Sequence, residues 1–415
     1  MKLTVVGGGS TYTPELVDGF ARLGFPVAEL ALVDPDISRL EVIGGLSSRI
    51  LQRYGHPGQV RTYQDLDAGI EGASAVLLQL RVGGQAARHV DETLPLSCGC
   101  VGQETTGAGG LAKALRTVPV VLDIADRVER LAPKAWIVDF TNPVGIVTRA
   151  LLDAGHRAVG LCNVAIGLQR TFASWLDVAP SRLSLDHVGL NHLTWERAVH
   201  LDGVDVLPRL LASHGEALAA RVKIPVELLR RLGVVPSYYL RYFYAHDQVV
   251  AEQLAEGSRA ERVAEIEQEL LDLYADPALV TKPALLDERG GAFYSEAAVN
   301  LVASLTDDRG DVQVVNIRNQ GTLPFLPPEA VIEVPATVGA LGAVPVEVAP
   351  VSPLYAGLIG HVSAYETLAV DAALRGGISR VEDALLAHPL VGQADVAVRL
   401  AGALVAANRE YLPWA

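Results

Sequence analysis

Two residues that could bind a metal ion together each follow a short apolar segment of the chain. Cys162 follows residues 158–161, and His192 follows residues 188–190. If both segments are strands that end on one side of a sheet, the sulfur and a ring nitrogen could bind one cation or one substrate. The alternative is a buried thiol that acts as a small hydrophobic side chain, with a histidine paired to a backbone carbonyl.

Two further segments contain candidate acid–base groups. Residues 236–244 are rich in tyrosine, and one phenol there could act as a base if its pKa fell by about 2–3 units from about 10. A neighbouring divalent cation or arginine would lower it, whereas core packing explains most such rings. Residues 99–110 are glycine-rich and polar, so we expect an active-site loop without helix or strand, carrying Glu104.

Arginines follow another apolar segment. Arg81 and Arg88 come after a predicted strand at residues 75–80, and ligands in parallel sheets lie beyond the carboxyl ends of the strands. These guanidinium groups could therefore bind an anionic group. The alternative is that one of them pairs with Asp91 or Glu92.

The elements that must position these groups begin with a strand at residues 2–6, a glycine-rich turn and a helix, as in a dinucleotide-binding unit. Backbone amides of such a turn approach a pyrophosphate. An acidic residue after the second strand, residues 29–33, can accept hydrogen bonds from ribose hydroxyls and repel a 2′-phosphate, which favours NAD over NADP. Tyr12 replaces the third glycine of the usual pattern, and a domain without a cofactor is the alternative. The predicted NAD-binding residues are Gly7, Gly9, Ser10, Thr11 and Asp34.

The alternation of strands and helices predicts a Rossmann-like doubly wound parallel sheet over residues 1–168. Mixed elements over residues 169–415 predict an α+β substrate and oligomerisation domain, in an arrangement like that of lactate and malate dehydrogenases. In those dehydrogenases, an asparagine that follows a strand lies beside the nicotinamide ribose and the substrate. Asn142 likewise follows a predicted strand. We expect residues 246–274 and residues 380–409 to form one helix each.

Composition excludes several classes of function. The chain has 415 residues and a formal net charge of −14, which argues against binding nucleic acid or anionic membranes. No apolar segment is long enough for a membrane span, and the start does not resemble a signal peptide, so we expect a cytoplasmic protein. Three cysteines do not indicate a disulfide framework.

Together these segments resemble the NAD- and metal-dependent glycosidases of glycoside hydrolase family four. The matching segments share their order and spacing and extend along nearly the whole chain. They are Gly7-Gly-Gly-Ser-Thr, Arg81-Val-Gly-Gly with Arg88, Val101-Gly-Gln-Glu104-Thr, Thr141-Asn142-Pro143, Cys162-Asn163, Gly189-Leu-Asn191-His192, Pro236-Ser-Tyr-Tyr239-Leu and Arg259.

The resemblance implies an exception to two-carboxylate glycoside hydrolysis. NAD oxidises C3 of the sugar, a base removes the acidified C2 proton, and a divalent metal, usually manganese, stabilises the anion. The aglycone leaves by elimination, water adds, and NADH returns the hydride. The residues carried over are Cys162 and His192 as metal ligands, Tyr239 as base, Glu104 as the residue that makes Tyr239 more basic, and Arg88, Asn142, Asn163 and Arg259 as contacts to substrate or its phosphate.

Position 163 bears on specificity within the family. The resemblance implies that an asparagine after the cysteine, as in Cys162-Asn163, is typical of 6-phospho-β-glucosidases, whereas enzymes acting on α-glycosides carry aspartate as an acid there. Ala165 replaces the proline expected in the β-directed pattern. We therefore expect a 6-phospho-β-glucosidase that forms a homodimer or homotetramer and binds a phosphorylated disaccharide or β-glucoside. The alternatives are an α-directed or unphosphorylated-glycoside hydrolase, a 2-hydroxy-acid dehydrogenase and a non-catalytic NAD sensor.

Overall fold

Six parallel strands form the first part of the large sheet in the structure, a computed structural model that describes residues 1–290 and 293–415. The strands lie in the order 3-2-1-4-5-6, which confirms the predicted Rossmann-like sheet. The apolar side chains of these strands are buried except on the edge strand at residues 59–63, because helices cover both faces of such a sheet. The strands are β1 (Lys2–Val6), β2 (Glu29–Val33), β3 (Gln59–Tyr63), β4 (Ala75–Leu78), β5 (Trp136–Asp139) and β6 (Ala158–Gly160).

The second half of the chain contributes strands to two sheets. Its strands are β7 (Leu183–Leu190), β8 (Leu193–Leu201), β9 (Val204–Asp205), β10 (Val235–Pro236), β11 (Asp311–Arg318), β12 (Val331–Gly339) and β13 (Gly342–Pro345). β11, β12 and β13 extend the large sheet beyond β6, each antiparallel to its neighbour, to nine strands in the described part of the chain. β7 to β10 form a separate small antiparallel sheet.

Helices connect the parallel strands and surround both sheets. Those of the first half are α1 (Thr13–Arg22), α2 (Ile37–Arg53), α3 (Leu66–Ile70), α4 (Gly84–Thr93), α5 (Gly107–Leu131), α6 (Val144–Asp153) and α7 (Val164–Leu176). Those of the second half are α8 (Leu207–Val222), α9 (Val226–Leu232), α10 (Arg241–Tyr244), α11 (His246–Glu256), α12 (Arg259–Ala275), α13 (Leu285–Arg289), α14 (Tyr294–Asp307), α15 (Pro353–Arg375), α16 (Ile378–Ala387) and α17 (Ala394–Ala407). Short 3₁₀ segments lie at Leu94–Cys98, Pro180–Arg182, Tyr238–Leu240 and Arg409–Tyr411. Among the residues described, no helix has both the length and the apolar character needed to cross a membrane.

The strands that precede Cys162 and His192 lie in different sheets, which differs from the expectation of a single sheet. β6 belongs to the large sheet, whereas β7 belongs to the small one. β7 and β8 form a hairpin whose two-residue turn consists of Asn191 and His192, the latter with φ of 63°. The small sheet still approaches the large one, because β7 packs against β12.

Three element boundaries differ from the sequence-based predictions. The helix expected over residues 246–274 is two helices, because Gly257 has φ of 80° and Ser258 then caps α12 through the amide of Glu261. The helix expected over residues 380–409 is also two, α16 and α17. The glycine-rich loop ends earlier than expected, since α5 already begins at Gly107. Glycine here permits close packing: a Cβ on Gly109 would lie 2.3 Å from the carbonyl oxygen of Asp91.

Candidate active site

A cavity of about 790 Å³ opens at the carboxyl ends of the parallel strands and contains most of the predicted site residues. Its size is that of an ordinary ligand pocket. Cys162 and Thr11 are not among its lining residues. The predicted residues that line it are Gly7, Gly9, Ser10, Asp34, Arg88, Glu104, Asn142, Asn163, His192, Tyr239 and Arg259.

The glycine turn at one end of the cavity has room for backbone only. Gly7 has φ of 86°, and a Cβ there would lie 2.7 Å from the carbonyl oxygen of Gln79. A Cβ on Gly9 would lie 2.7 Å from Cγ of Asp34, whose Oδ2 accepts the amide of Gly9 at 3.0 Å. This close approach of backbone and carboxylate fits a dinucleotide, whose pyrophosphate and ribose need these groups.

Thr11 lies below the turn rather than in the cavity. Its side chain is fully buried, and its hydroxyl donates to Glu267 Oε1 at 3.4 Å. Its carbonyl oxygen accepts the hydroxyl of Tyr274 at 2.8 Å. The structure therefore places Thr11 as a link between the turn and α12.

The two predicted metal ligands are linked through neighbouring side chains. Cys162 is 4% exposed, and the side chains of Asn191 and Tyr294 oppose the rise that burial causes in the pKa of its thiol. Asn191 directly precedes His192, and Tyr294 lines the cavity. Burial raises the pKa of Cys162, so a bound cation would have to stabilise its thiolate.

The hydrogen bonds of His192 define which of its ring nitrogens is available. The hydroxyl of Thr105 donates its one proton to Gln103 Oε1 at 2.7 Å, so it can only accept from Nδ1 of His192, 3.0 Å away. Burial lowers the pKa of His192 to about 4, which keeps the ring neutral. Nε2 therefore carries a lone pair, as a metal ligand requires.

Tyr239 packs directly on this imidazole. The two rings are stacked, with centroids 3.7 Å apart and planes within 8°. Burial raises the pKa of Tyr239, Cys162 in its thiolate form and the carboxylate of Glu104 raise it further, and Arg88 lowers it. Without a bound cation, the surroundings of Tyr239 therefore keep its phenol protonated near neutral pH. A bound cation would be needed for the phenol to lose its proton there.

Glu104 lies among three cations in the cavity wall. Lys113 Nζ lies 2.6 Å from Glu104 Oε2, Arg88 Nε lies 3.3 Å from Oε1, and Arg81 also pairs with this carboxylate. Burial raises the pKa of Glu104, but the three cations together hold it well below its usual value. Arg88 also pairs with Glu92 at 2.7 Å, so one alternative considered from the sequence is present as well.

The remaining predicted contacts surround the same cavity. Asn142 Oδ1 is buried and has no hydrogen-bond partner within residues 1–290 and 293–415, so it can accept a bond from a ligand. Asn163 lies at the N-terminus of α7, directly after Cys162. Arg259 is exposed at the start of α12, where its guanidinium donates to the carbonyl oxygen of Glu288 at 3.2 Å.

A second group of potential ligands lies away from this cavity. Asp126 and Glu129 on α5 approach the buried side chain of His156, and their ligand atoms lie within 4.8 Å of one another. The two ring nitrogens lie 3.2 Å from Asp126 Oδ1 and 3.5 Å from Glu129 Oε2. These contacts join α5 to His156 outside the candidate active site.

Sequence reasoning missed three polar residues that support the site. Lys113 is almost fully buried, and burial together with Arg81 lowers its pKa to about 8, against the effect of Glu104. Thr105 fixes the ring of His192, and Glu333 binds Asn191. A usable signal existed for two of them, because Lys113 and Glu333 are charged residues within largely apolar segments, and such residues are rarely buried without a partner.

Comparison with known proteins identifies the class to which this fold and site belong. Residues 2–178 match the profile described as "Family 4 glycosyl hydrolase", and residues 187–391 match "Family 4 glycosyl hydrolase C-terminal domain". The chain therefore belongs to family 4 of the glycoside hydrolases, which confirms the resemblance inferred from its motifs.

Its relatives in this family include glucosidases that act on phosphorylated substrates. A probable 6-phospho-beta-glucosidase of Bacillus subtilis (strain 168) is 38% identical, with 100% of this chain and 97% of the relative covered. The 6-phospho-beta-glucosidase of Escherichia coli (strain K12) is 36% identical, with 100% and 96% covered. The 6-phospho-beta glucosidase of Thermotoga maritima, solved with manganese, NAD+ and glucose-6-phosphate, is 32% identical with a TM-score of 0.93, covering 99% of both chains.

The fold itself extends to dehydrogenases. Malate dehydrogenase from Salinibacter ruber has a TM-score of 0.55 at 16% identity, with 92% of this chain and 99% of that chain covered. This likeness confirms the predicted dehydrogenase-like arrangement.

Proposed function

We propose that this protein hydrolyses 6-phospho-β-glucosides with the help of NAD and a divalent cation such as Mn²⁺. The observation that supports the proposal most is that one cavity contains both the glycine turn and the stacked pair of His192 and Tyr239. The relatives named 6-phospho-beta-glucosidases, at 36–38% identity over the full chain, support the substrate class.

When bound, NAD supplies a reversible hydride acceptor and the cation supplies a Lewis acid. Gly7, Gly9, Ser10 and Asp34 would hold the dinucleotide. Cys162 and Nε2 of His192 would hold the cation and leave further positions for sugar oxygens and water.

Each remaining side chain has a task on the sugar. Tyr239 removes the proton from C2, which is acidic only while C3 is a ketone, and Glu104 increases the basicity of Tyr239. Asn142 and Asn163 orient the sugar hydroxyls, and Arg88 and Arg259 contact the substrate or its phosphate. Because the hydride that leaves C3 is returned after the aglycone departs and water adds, the reaction as a whole is a hydrolysis.

The preference for the β-anomer rests on Asn163. An amide cannot donate a proton as a carboxylic acid does, so this position does not provide the acid expected of an α-directed enzyme. Ala165, in place of the expected proline, lies buried in the first turn of α7. A cytoplasmic location and a homodimeric or homotetrameric state stay predictions.

The decisive experiment compares four substrates after removal of metal and nucleotide. Purified protein is treated with EDTA and desalted, and is then assayed with NAD, Mn²⁺ and a reductant on p-nitrophenyl β-glucoside 6-phosphate, its α-anomer and the two unphosphorylated glucosides. We expect release of nitrophenol from the phosphorylated β-anomer only, dependent on both additions. Cleavage of the α-anomer alone would contradict the role of Asn163. Stoichiometric NADH formation with a 2-hydroxy acid, without glycoside cleavage, would instead indicate a dehydrogenase.

A further inference from the structure

We propose that Asp126, Glu129 and His156 form a second cation site, which takes a divalent transition-metal ion such as Zn²⁺. The site lies at the amino ends of the parallel strands, whereas the candidate active site lies at their carboxyl ends. It goes beyond the proposed function, since none of these residues lines the active-site cavity. The ion would join α5 to the connection between α6 and β6.

The three side chains come from two neighbouring parts of the fold. Asp126 and Glu129 are three residues apart on α5, a spacing that places both on one face of a helix. His156 follows Gly155, which turns the chain at the end of α6 with φ of 90°. One ligand atom from each side chain lies within 4.8 Å of the other two. Because Zn²⁺ binds nitrogen and carboxylate oxygen at about 2.0–2.2 Å, small rotations of the side chains would bring all three to one ion.

The imidazole of His156 has an unpaired nitrogen that faces the carboxylates. The residue is 7% exposed, and its Nε2 atom is buried without a hydrogen-bond partner in the described residues. Asp126 Oδ1 lies 3.2 Å from Nε2, yet the two atoms form no hydrogen bond. Two ligands of one ion have this relationship, because each directs its lone pair at the ion rather than at the other ligand. Buried polar atoms in proteins are almost always paired, and an ion here would satisfy this one.

The charge around the cluster also favours a cation. Neither Asp126 nor Glu129 pairs with a lysine or arginine among residues 1–290 and 293–415. The basic residues that directly follow them, Arg127 and Arg130, pair with Asp67 instead. The two carboxylate side chains are 71% and 73% exposed, so they can move towards an ion and leave a position for water.

One imidazole and two carboxylates suit some ions better than others. Mg²⁺ and Ca²⁺ prefer oxygen ligands throughout, so the imidazole disfavours them. Zn²⁺ binds nitrogen and oxygen alike and accepts three protein ligands with water in the fourth position. Asp126 lies about 20 Å along α5 from Lys113 of the cavity wall, at about 1.5 Å per residue. The ion would therefore stabilise the fold rather than take part in glycoside cleavage.

Zinc binding to the untagged protein tests the proposal. Protein treated with EDTA and desalted is dialysed against Zn²⁺, the bound metal is counted per chain, and Tm is followed as Zn²⁺ is added. For the wild type we expect one Zn²⁺ at this site, in addition to any at the active site, and a rise in Tm of about 2–5 °C from its binding. His156→Gln should bind one Zn²⁺ fewer and show a correspondingly smaller rise.

Asp126→Asn keeps the test decisive if His156→Gln does not fold, because position 126 is exposed. We expect at least about a tenfold loss of Zn²⁺ affinity at this site, since removal of a direct ligand should cost no less than removal of one of its outer partners. Asp123→Asn is the matched control, because Asp123 is an exposed aspartate on the same helix that pairs with Arg127. It should bind Zn²⁺ as the wild type does.

The outcomes separate this site from the proposed function. Wild-type stoichiometry and affinity for Zn²⁺ in Asp126→Asn, and in His156→Gln where it folds, would overturn the proposal and leave the contacts of His156 as ion pairs alone. The candidate active site is tested separately by His192→Ala. If that variant binds as much Zn²⁺ as the wild type, the predicted active-site metal centre is wrong, whereas a loss in His156→Gln still supports the second site.

Discussion

The imidazole of His192 and the phenol of Tyr239 are stacked, with ring centroids 3.7 Å apart and planes within 8°. Two groups with different proposed tasks, holding a cation and removing a proton, therefore form one packed unit. A positive charge held by the first ring is close enough to lower the pKa of the second, against the upward effect of burial.

The role of Tyr239 predicts the effect of removing its hydroxyl. Tyr239→Phe should reduce kcat by about 10²–10⁴-fold, as expected for loss of a general base, without loss of NAD affinity. Turnover of the phosphorylated β-glucoside and NAD titration by fluorescence measure the two effects. Tyr242→Phe is a control from the same aromatic cluster, since its ring meets Tyr239 edge-on rather than stacking on His192. Wild-type turnover in Tyr239→Phe would remove this residue from its role.

Thr105 should affect metal affinity although it is not a ligand. Thr105→Val removes the hydroxyl that accepts from Nδ1 of His192 while conserving shape, so the ring loses the partner that fixes its tautomer. We expect Mn²⁺ affinity to fall about 10–100-fold. Thr105→Ser retains the hydroxyl and should bind Mn²⁺ as the wild type does. Equal affinities in all three proteins would mean that His192 is oriented by other contacts.

The cation cluster around Glu104 predicts a stability effect. Glu104→Ala leaves Arg81, Arg88 and Lys113 near one another without their shared carboxylate, and loss of one partner of a buried ion pair costs about 3–5 kcal/mol. Urea denaturation measures this loss. Adding Lys113→Met removes the most deeply buried of these charges, so the double variant should recover part of the stability. A double variant less stable than the single one would show that Lys113 has other essential partners.

Buried His187 predicts a pH dependence of stability. Burial lowers the pKa of His187, but Glu196 and Glu333 raise it to about 10, above the usual 6.5. The pKa of His187 is therefore higher in the folded than in the unfolded state. The contribution of His187 to the free energy of unfolding is thus complete below about pH 6.5 and is lost as the pH rises towards 10. Denaturation at pH 6 to 9 should show a steeper decline for the wild type than for His187→Gln. Parallel declines would mean that His187 is not protonated in the folded state.

Asp34 should control the choice of nucleotide. Asp34→Asn removes the negative charge that repels a 2′-phosphate and weakens hydrogen bonding to the ribose. We expect the preference for NAD over NADP to fall at least about tenfold, equivalent to about 1.4 kcal/mol, as measured by fluorescence titration with both nucleotides. Arg39, whose Nε already donates to the carbonyl oxygen of Gly9 at 2.7 Å, is placed to meet the added phosphate. An unchanged preference would mean that the ribose is recognised elsewhere.

Local patterns were sufficient to predict the parallel sheet and the cavity wall. A glycine turn between an apolar strand and a helix has few structural solutions, so Asp34 could be assigned to the cleft from local pattern, whereas Tyr239 was assigned to the same cleft through the family resemblance. The predicted boundaries of helices were wrong where glycine can either end a helix or lie inside one. Gly257 breaks a helix through its positive φ, whereas Gly109 lies inside one because the chain must pass close to Asp91.

The outer partners of the site could not be predicted in the same way. Glu333 meets Asn191 only because β12 packs against β7, and the pairing of strands so distant in sequence is not encoded in either segment alone. Thr105 likewise depends on the route of a loop whose end was predicted too late in the sequence.

The antiparallel extension of the large sheet limits how this enzyme can be divided or assembled. The two family profiles meet between residues 178 and 187, yet β11 from the second covers the edge of β6 from the first. A fragment ending at that junction would present an open, unpaired β-edge, the kind that recruits other chains and aggregates. During synthesis the same edge stays uncovered until β11, which ends at Arg318, has been made.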